Sequence, residues 1–409
     1  MSLRRRPRSG LRQTLPRDLT VETATPNRAG MINSRWRALF DLPEEIAYLN
    51  AAQIGPAPIR AVLAGQAAYA AKARPWTRGV TEDFFDRPEI LRAAGAKRFG
   101  CQPDDVALAP AASYGLAVAA RNLKLAPGQE ILVLDGQFPS NVYTWRAMAA
   151  RDGARICTVA RKPGQSWSDA MLDAISPKTG LVACPAVHWI DGGAIDLEAV
   201  SAAAREAGAA LVLDLTQSLG VMAFDAAAVD PDFAVAACYK WMLGPYATGF
   251  LYVAPRHHGA APLEENWINR AGSEDFANLI DYQDGYQPGA RRFDMGERSS
   301  HQLVPAAVEA LAVLDEIGFP TVMAHCTEAA SALCEAAKHF GFTDDTPDRA
   351  GHYLSLGLPE DAPVDLAARL RSHGVHVSQR GPRLRVTPHV YTTEADVEHF
   401  AQALDAALS

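Results

Sequence analysis

The sequence predicts an α/β fold: a large layered domain on a mostly parallel seven-stranded sheet between helices, then a smaller α/β domain at the C-terminus. Three observations predict it. Short apolar runs alternate with helical stretches from about residue 50 onward, the pattern of a layered α/β domain. Those runs are mostly apolar on both faces, as strands inside a sheet covered on both sides must be. From about Arg292 the character changes to longer helices and shorter strands.

The strand candidates are residues 106–109, 131–134, 155–159, 181–184, 210–213, 233–236 and 249–253. Each is β-branched or Leu-rich and four to six residues long. Helices are expected between them at 114–123, 141–151, 168–174 and 197–207. Two longer helices, 305–317 and 320–340, open the C-terminal part. A strand at 353–356, a helix at 365–372, strands at 375–378 and 383–386 and a helix at 393–408 complete it. The last helix starts with Thr393 followed three residues on by Asp396, a capping-box pattern. The expected division is a basic tail over 1–30, the large domain over 31–291 and the small domain over 292–409.

Residues 1–30 stand apart. Arg4, Arg5, Arg6, Arg8, Arg12, Arg17 and Arg28 meet only Asp18 and Glu22, without apolar periodicity. No apolar core of a secretory signal follows, and the stretch reads as a disordered tail, with Met31 a natural alternative start. An Arg-rich, acid-poor transit peptide is the other reading. Over the whole chain, 48 % hydrophobic and 21 % charged residues with a net charge of −8 describe a globular protein with a large core. The acidity offers no footprint for nucleic acid, and no apolar run reaches the roughly 20 residues of a membrane helix. Cys101, Cys157, Cys184, Cys238, Cys326 and Cys334 show no metal-ligand spacing; reduced thiols in a cytoplasmic protein are expected, and no metal.

Chemistry concentrates after the strands. Asp214 ends the run 210–213, and carboxyl ends of strands are where open α/β sheets carry their sites. Lys240, in Tyr239-Lys240-Trp241, follows the run 233–236 in apolar surroundings. A lysine there is either an unexplained burial cost or a functional amine, and a desolvated amine forms Schiff bases. An aspartate about 26 residues earlier would match a pyridinium nitrogen. The spacing alone equally fits a helix-capping Asp and a solvent-edge Lys. Ala111-Ala112-Ser113 opens a helix, with Ser113 placed as N-cap; the small residues suit an anion at the positive helix end, or simply a cap. In Gln137-Phe138-Pro139-Ser140-Asn141, Phe138 could stack on a flat cofactor or belong to the core.

Together these segments resemble one family. Strand–small–Ser–helix, Gln-Phe-Pro-Ser-Asn, Asp-x-x-Gln and Tyr-Lys-Trp-x-x-Gly-Pro-x-x-x-Gly-Phe-Leu-Tyr-Val look like the class V aminotransferases among fold-type I pyridoxal 5'-phosphate enzymes. That family includes cysteine desulfurases, kynureninases and isopenicillin-type epimerases, and the resemblance covers about residues 45–408. It implies Lys240 as the Schiff-base lysine and acid/base for the substrate Cα proton. Asp214 would pair with the ring nitrogen and Gln217 with the ring 3-oxygen. Phe138 takes the stacking position, Ala112 and Ser113 the phosphate, and Tyr239 matches the phosphate-binding tyrosine of kynureninases. Arg385 matches the arginine that clamps a substrate α-carboxylate, a task suited to its planar fork. His188 (with Trp189) and Trp267 fall where the family brings cofactor or substrate contacts, some from a partner subunit. Asn50, in Tyr48-Leu49-Asn50, falls at the substrate mouth. The family is usually homodimeric.

The implied reaction is that of a class V aminotransferase on an amino acid or related amine. A lyase or hydrolase cleaving C–S or Cβ–Cγ bonds, as in kynureninases, and an epimerase are the alternatives. A typical cysteine desulfurase is not expected, because Ser378-Gln379-Arg380-Gly381-Pro382-Arg383-Leu384 carries no cysteine where that reaction needs one. A cofactor-binding regulator without catalysis would lack Lys240 or Asp214, and both are present.

Overall fold

In the computed structural model, which describes Ile32 and residues 34–409, twelve strands and eleven helices follow one another along the chain. They are β1 (Ala47–Tyr48), α1 (Ile59–Ala71), α2 (Arg87–Phe99), β2 (Val106–Ala109), α3 (Ala112–Asn122), β3 (Glu130–Leu134), α4 (Ser140–Asp152), β4 (Arg155–Val159), α5 (Trp167–Ala174), β5 (Thr179–Pro185), α6 (Leu197–Glu206), β6 (Ala210–Asp214), α7 (Ala226–Val229), β7 (Phe233–Ala237) and β8 (Gly249–Val253). Then come α8 (Leu303–Ile317), α9 (Phe319–Lys338), β9 (Leu354–Gly357), α10 (Leu366–Ser372), β10 (Val375–His376), β11 (Ser378–Arg380), β12 (Arg383–Val386) and α11 (Glu394–Leu408). The basic tail lies outside the described residues.

The large sheet has the order β2-β8-β7-β6-β5-β3-β4. β8 runs antiparallel to both its neighbours, and the other pairs are parallel. All residues of β2, β5, β7 and β8 are buried, which explains why the strands read as continuous apolar runs. Side chains still alternate. Leu132, Leu134, Val182 and Leu213 enter one core with Trp167 and Val200; Ile131, Val133, Leu181 and Val212 enter the other with Leu116 and Trp145. Asp196 caps α6 through Ala199 N–H at 3.0 Å, and Ser166 caps α5 through Asp169 N–H at 3.0 Å. The expected Thr393/Asp396 capping box closes on α11.

Toward the C-terminus, β11-β12-β9 form an antiparallel sheet over a third core containing Leu333, Phe400 and Leu404. The expected strand 375–378 is two elements: β10 pairs with β1, and β11 pairs with β12. Ala47 faces Val375 and Tyr48 faces His376 in parallel, and Asn50 bridges Thr387. The early segment therefore joins the C-terminal strands, because Ala47 and Leu49 bury fully in their core. Helices α1 and α2 carry no clear apolar stripe: Ile59, Val62, Leu63 and Ile90 are exposed. Among the described residues no helix is long and apolar enough to cross a membrane.

Candidate active site

The carboxyl ends of β2, β3, β5, β6 and β7 meet around a cavity of about 270 Å³, near the lower end for small-molecule sites. Ala112, Ser113, Phe138, Asp214, Gln217, Tyr239 and Lys240 all line it. Lys240 lies in the turn after β7, where Gly244 N–H donates to the Cys238 carbonyl at 3.0 Å. Gly55 N–H donates to the Tyr239 carbonyl at 2.9 Å, and any side chain at Gly55 would collide with the Lys240 carbonyl. The lysine is 8 % exposed. Its Nζ sits 5.7 Å from the ring centres of both Phe138 and Tyr239. Burial pushes its pKa down to about 8; Asp214 opposes that shift, and Arg385 and Arg380 add to it.

Asp214 is the last residue of β6. Its Oδ1 accepts Thr216 N–H at 3.0 Å, and Ala237 N–H donates to Thr216 Oγ1 at 3.2 Å, so the ends of β6 and β7 are tied together. Oδ2 has no hydrogen-bond partner among the described residues. Gln217 is fixed at three points. Its Nε2 donates to the Ala52 carbonyl at 3.1 Å, its Oε1 accepts Trp241 Nε1–H at 3.0 Å, and its carbonyl meets His352 Nε2 at 2.9 Å. Burial pushes the His352 pKa down to about 4, so the ring is neutral and donates this bond.

The N-cap of α3 is Ala111, not Ser113, and no side chain caps it. The helix starts two residues earlier than expected because Ala111 adopts the extended cap conformation, which places Ser113 at the second helical residue. The first N–H groups of α3 are consequently left for an anion, at the positive end of the helix dipole. Gly115 lets this end lie close on the sheet, since a side chain there would strike Val235 of β7. Gln137 Oε1 accepts Phe138 N–H at 2.8 Å, while its Nε2 is buried without an acceptor. Such an orphaned donor costs about 1–3 kcal/mol until a ligand satisfies it. Phe138 is 39 % exposed and meets Trp189 edge-on at 5.4 Å. A free carboxylate oxygen, an uncapped helix start, a deprotonatable amine and an exposed aromatic face in one cavity fit pyridoxal 5'-phosphate: basic ring nitrogen, phosphate, aldehyde and flat ring.

Four sequence-expected residues, His188, Trp267, Asn50 and Arg385, do not line this cavity. His188 is turned away: its Nδ1 meets Asp191 at 3.0 Å and its Nε2 the Asp135 carbonyl at 3.1 Å, so both ring nitrogens are spent on holding the turn. The neighbouring Trp189 lines the cavity instead. Trp267 packs with Phe84, Phe85 and Phe276 in an aromatic cluster away from this cavity. Asn50 is buried, its Nδ2 donating to Gln53 Oε1 at 2.9 Å, where the chain after β1 bridges Thr387. Arg385 is 2 % exposed and held by Ser378 Oγ at 2.9 Å, the Trp189 carbonyl at 2.9 Å and Tyr353 Oη at 3.2 Å. Its Nη2 has no partner among the described residues. Arg380, Trp241 and Thr216 were not picked out from the sequence; the clustering of Arg380, Arg383 and Arg385 around Gly381-Pro382 was the available signal for the first.

The family model for aminotransferase class-V matches residues 62–401. The protein named uncharacterized aminotransferase YcbU of Bacillus subtilis is 25 % identical over 326 residues, 80 % of this chain and 85 % of that one. The kynureninase of Deinococcus radiodurans is 31 % identical over 271 residues, 64 % of this chain and 63 % of that one. A solved structure of a C-DES mutant with glycine covalently linked to its pyridoxal-phosphate cofactor superimposes with a TM-score of 0.80 at 19 % identity, covering 90 % of this chain and 99 % of that one.

Proposed function

The chain belongs to the aminotransferase class-V family, whose cofactor is pyridoxal 5'-phosphate, and from that premise we propose that it transfers the amino group of an amino acid or related primary amine. The observation that carries the reading is the shared cavity of Lys240, Asp214 and the open start of α3. When bound, the cofactor supplies an electron sink for the charge left at the substrate Cα. In this reading the first N–H groups of α3, with Ser113, bind the phosphate, and Tyr239 closes over it. Asp214 holds a proton on the ring nitrogen. Gln217, oriented by Trp241, meets the ring 3-oxygen, and Phe138 covers one ring face. Lys240 would hold the cofactor and would take the substrate Cα proton; an amine titrating near 8 is suited to that transfer. Arg385 holds the substrate carboxylate through its open edge.

A second reading is a kynureninase-like lyase or hydrolase. It is supported by the relative of that name and by the tight β11–β12 hairpin, in which Gly381-Pro382 joins the strands with no thiol nucleophile. An epimerase is the third. A panel of amino acids mixed with the holoenzyme separates them. Conversion of the cofactor to its pyridoxamine form supports transfer, release of alanine, pyruvate or sulfide supports cleavage, and solvent deuterium at Cα without product supports epimerisation.

We also read the chain as a cytoplasmic homodimer. Its six cysteines are all free, as in a reducing compartment. Exposed Ile59, Val62 and Leu63 on α1, with Trp76 and Ile90, offer apolar surface of the kind a second copy covers.

A further inference from the structure

Three arginines project from one face of the β11–β12 hairpin. Ser378 faces Arg385 and Arg380 faces Arg383 across the strands. Directly opposed residues share a face, and every second residue returns to it. Arg383 is neutralised: its Nη2 meets Asp345 at 2.7 Å and Thr346 Oγ1 at 2.7 Å. Arg385 meets only neutral oxygens. Arg380 donates only to the Gln379 carbonyl, at 2.7 Å. Neither forms an ion pair among the described residues.

Both guanidinium carbons lie 5.7 Å from the centre of the same ring, Trp189, which lines the Lys240 cavity. Diagonal neighbours on one sheet face are about 7–8 Å apart at Cα, so the two like charges repel. Burial and Arg385 together push the Arg380 pKa down. Uncompensated charges so placed are costly unless an anion arrives with the ligand. One α-carboxylate answers one guanidinium and leaves the other.

The geometry points to Arg380 as the seat of a second anionic group, so that the substrate is an acidic amino acid with its α-carboxylate on Arg385 and its side-chain carboxylate on Arg380. This rests on the proposed role of Arg385 as α-carboxylate clamp. It deepens that reading by naming the substrate class.

The test titrates holoenzyme with L-aspartate, L-glutamate, L-asparagine, L-glutamine and L-alanine, reading the dissociation constant from the shift of the cofactor absorption band. The wild type binds one of the two acids about ten- to a hundredfold more tightly than its amide counterpart, the range of a charge-assisted bond. Arg380→Gln abolishes that preference and leaves the amides within about twofold, and Arg380→Lys restores part of it. Equal weakening of acids and amides in Arg380→Gln overturns the proposal in favour of two arginines on one carboxylate. Equal binding of acids and amides by the wild type also overturns it, with the underlying reading intact. If no amino acid shifts the band, both readings fail together.

Discussion

The indole N–H of Trp241, one residue past Lys240, donates to the Gln217 side-chain oxygen at 3.0 Å. The same segment that carries the amine therefore orients the Gln217 amide, the group proposed to meet the cofactor's ring 3-oxygen. Trp241→Phe leaves Gln217 Oε1 buried without a donor, a cost of about 1–3 kcal/mol. Expected outcomes are a lower thermal unfolding midpoint and faster cofactor loss, with attachment still at Lys240. Unchanged cofactor retention would remove Trp241 from this role.

Lys240 must be neutral to attack an aldehyde, and its pKa is pushed down to about 8. The rate at which cofactor-free protein takes up pyridoxal phosphate should rise through pH 8, well below the 10.5 of an ordinary lysine. Asp214 raises the Lys240 pKa, so Asp214→Asn should move this midpoint down. Stopped-flow absorbance against pH reads both; a midpoint near that of an ordinary lysine contradicts the burial argument.

Asp214→Ala removes the anion proposed to keep the ring nitrogen protonated. The variant should still bind cofactor on Lys240, while turnover falls about a hundred- to a thousandfold, the usual loss when a buried electrostatic stabiliser is removed. Retained turnover beside normal cofactor content would assign the ring nitrogen another partner.

Much of the fold was legible because its strands are buried on both faces and so read as apolar runs; β2, β4 and β8 begin and end where the sequence places them. Asp214, at the end of such a run, and Lys240, in an apolar segment three residues past one, were conspicuous in the sequence, and both line one cavity. The partners of the site were not. The side-chain direction of His188 depends on Asp191, three residues on, and on the Asp135 carbonyl, and periodicity carries neither. Pairing of Ala47 with Val375 spans most of the chain and leaves no local trace. Ser113 looked like a cap from its residue type, yet backbone conformation at Ala111 decides where the helix starts.

Asp191 anchors the turn that presents Trp189. It accepts from Arg161 Nη2 at 2.6 Å, Trp167 Nε1 at 3.1 Å and Gly193 N–H at 2.9 Å, and pairs with His188 Nδ1. Burial by itself would raise its pKa, but His188, Gly193 and Arg161 bring it down to about 2. A folded-state pKa below the ordinary value stabilises the fold above pH 4 and ceases to do so as pH falls toward 2. Asp191→Ala should cost about 3–5 kcal/mol in denaturant titrations at neutral pH, and the deficit should shrink on acidification through that window. A deficit independent of pH would show that the lost packing, not the carboxylate, matters.

The proposed chemistry turns on one amine. Holoenzyme reduced with borohydride and digested should yield a single cofactor-modified peptide by mass spectrometry, with the modification on Lys240, and Lys240→Ala should yield none. A modified peptide at another lysine, or an unmodified Lys240 in protein saturated with pyridoxal phosphate, would contradict it.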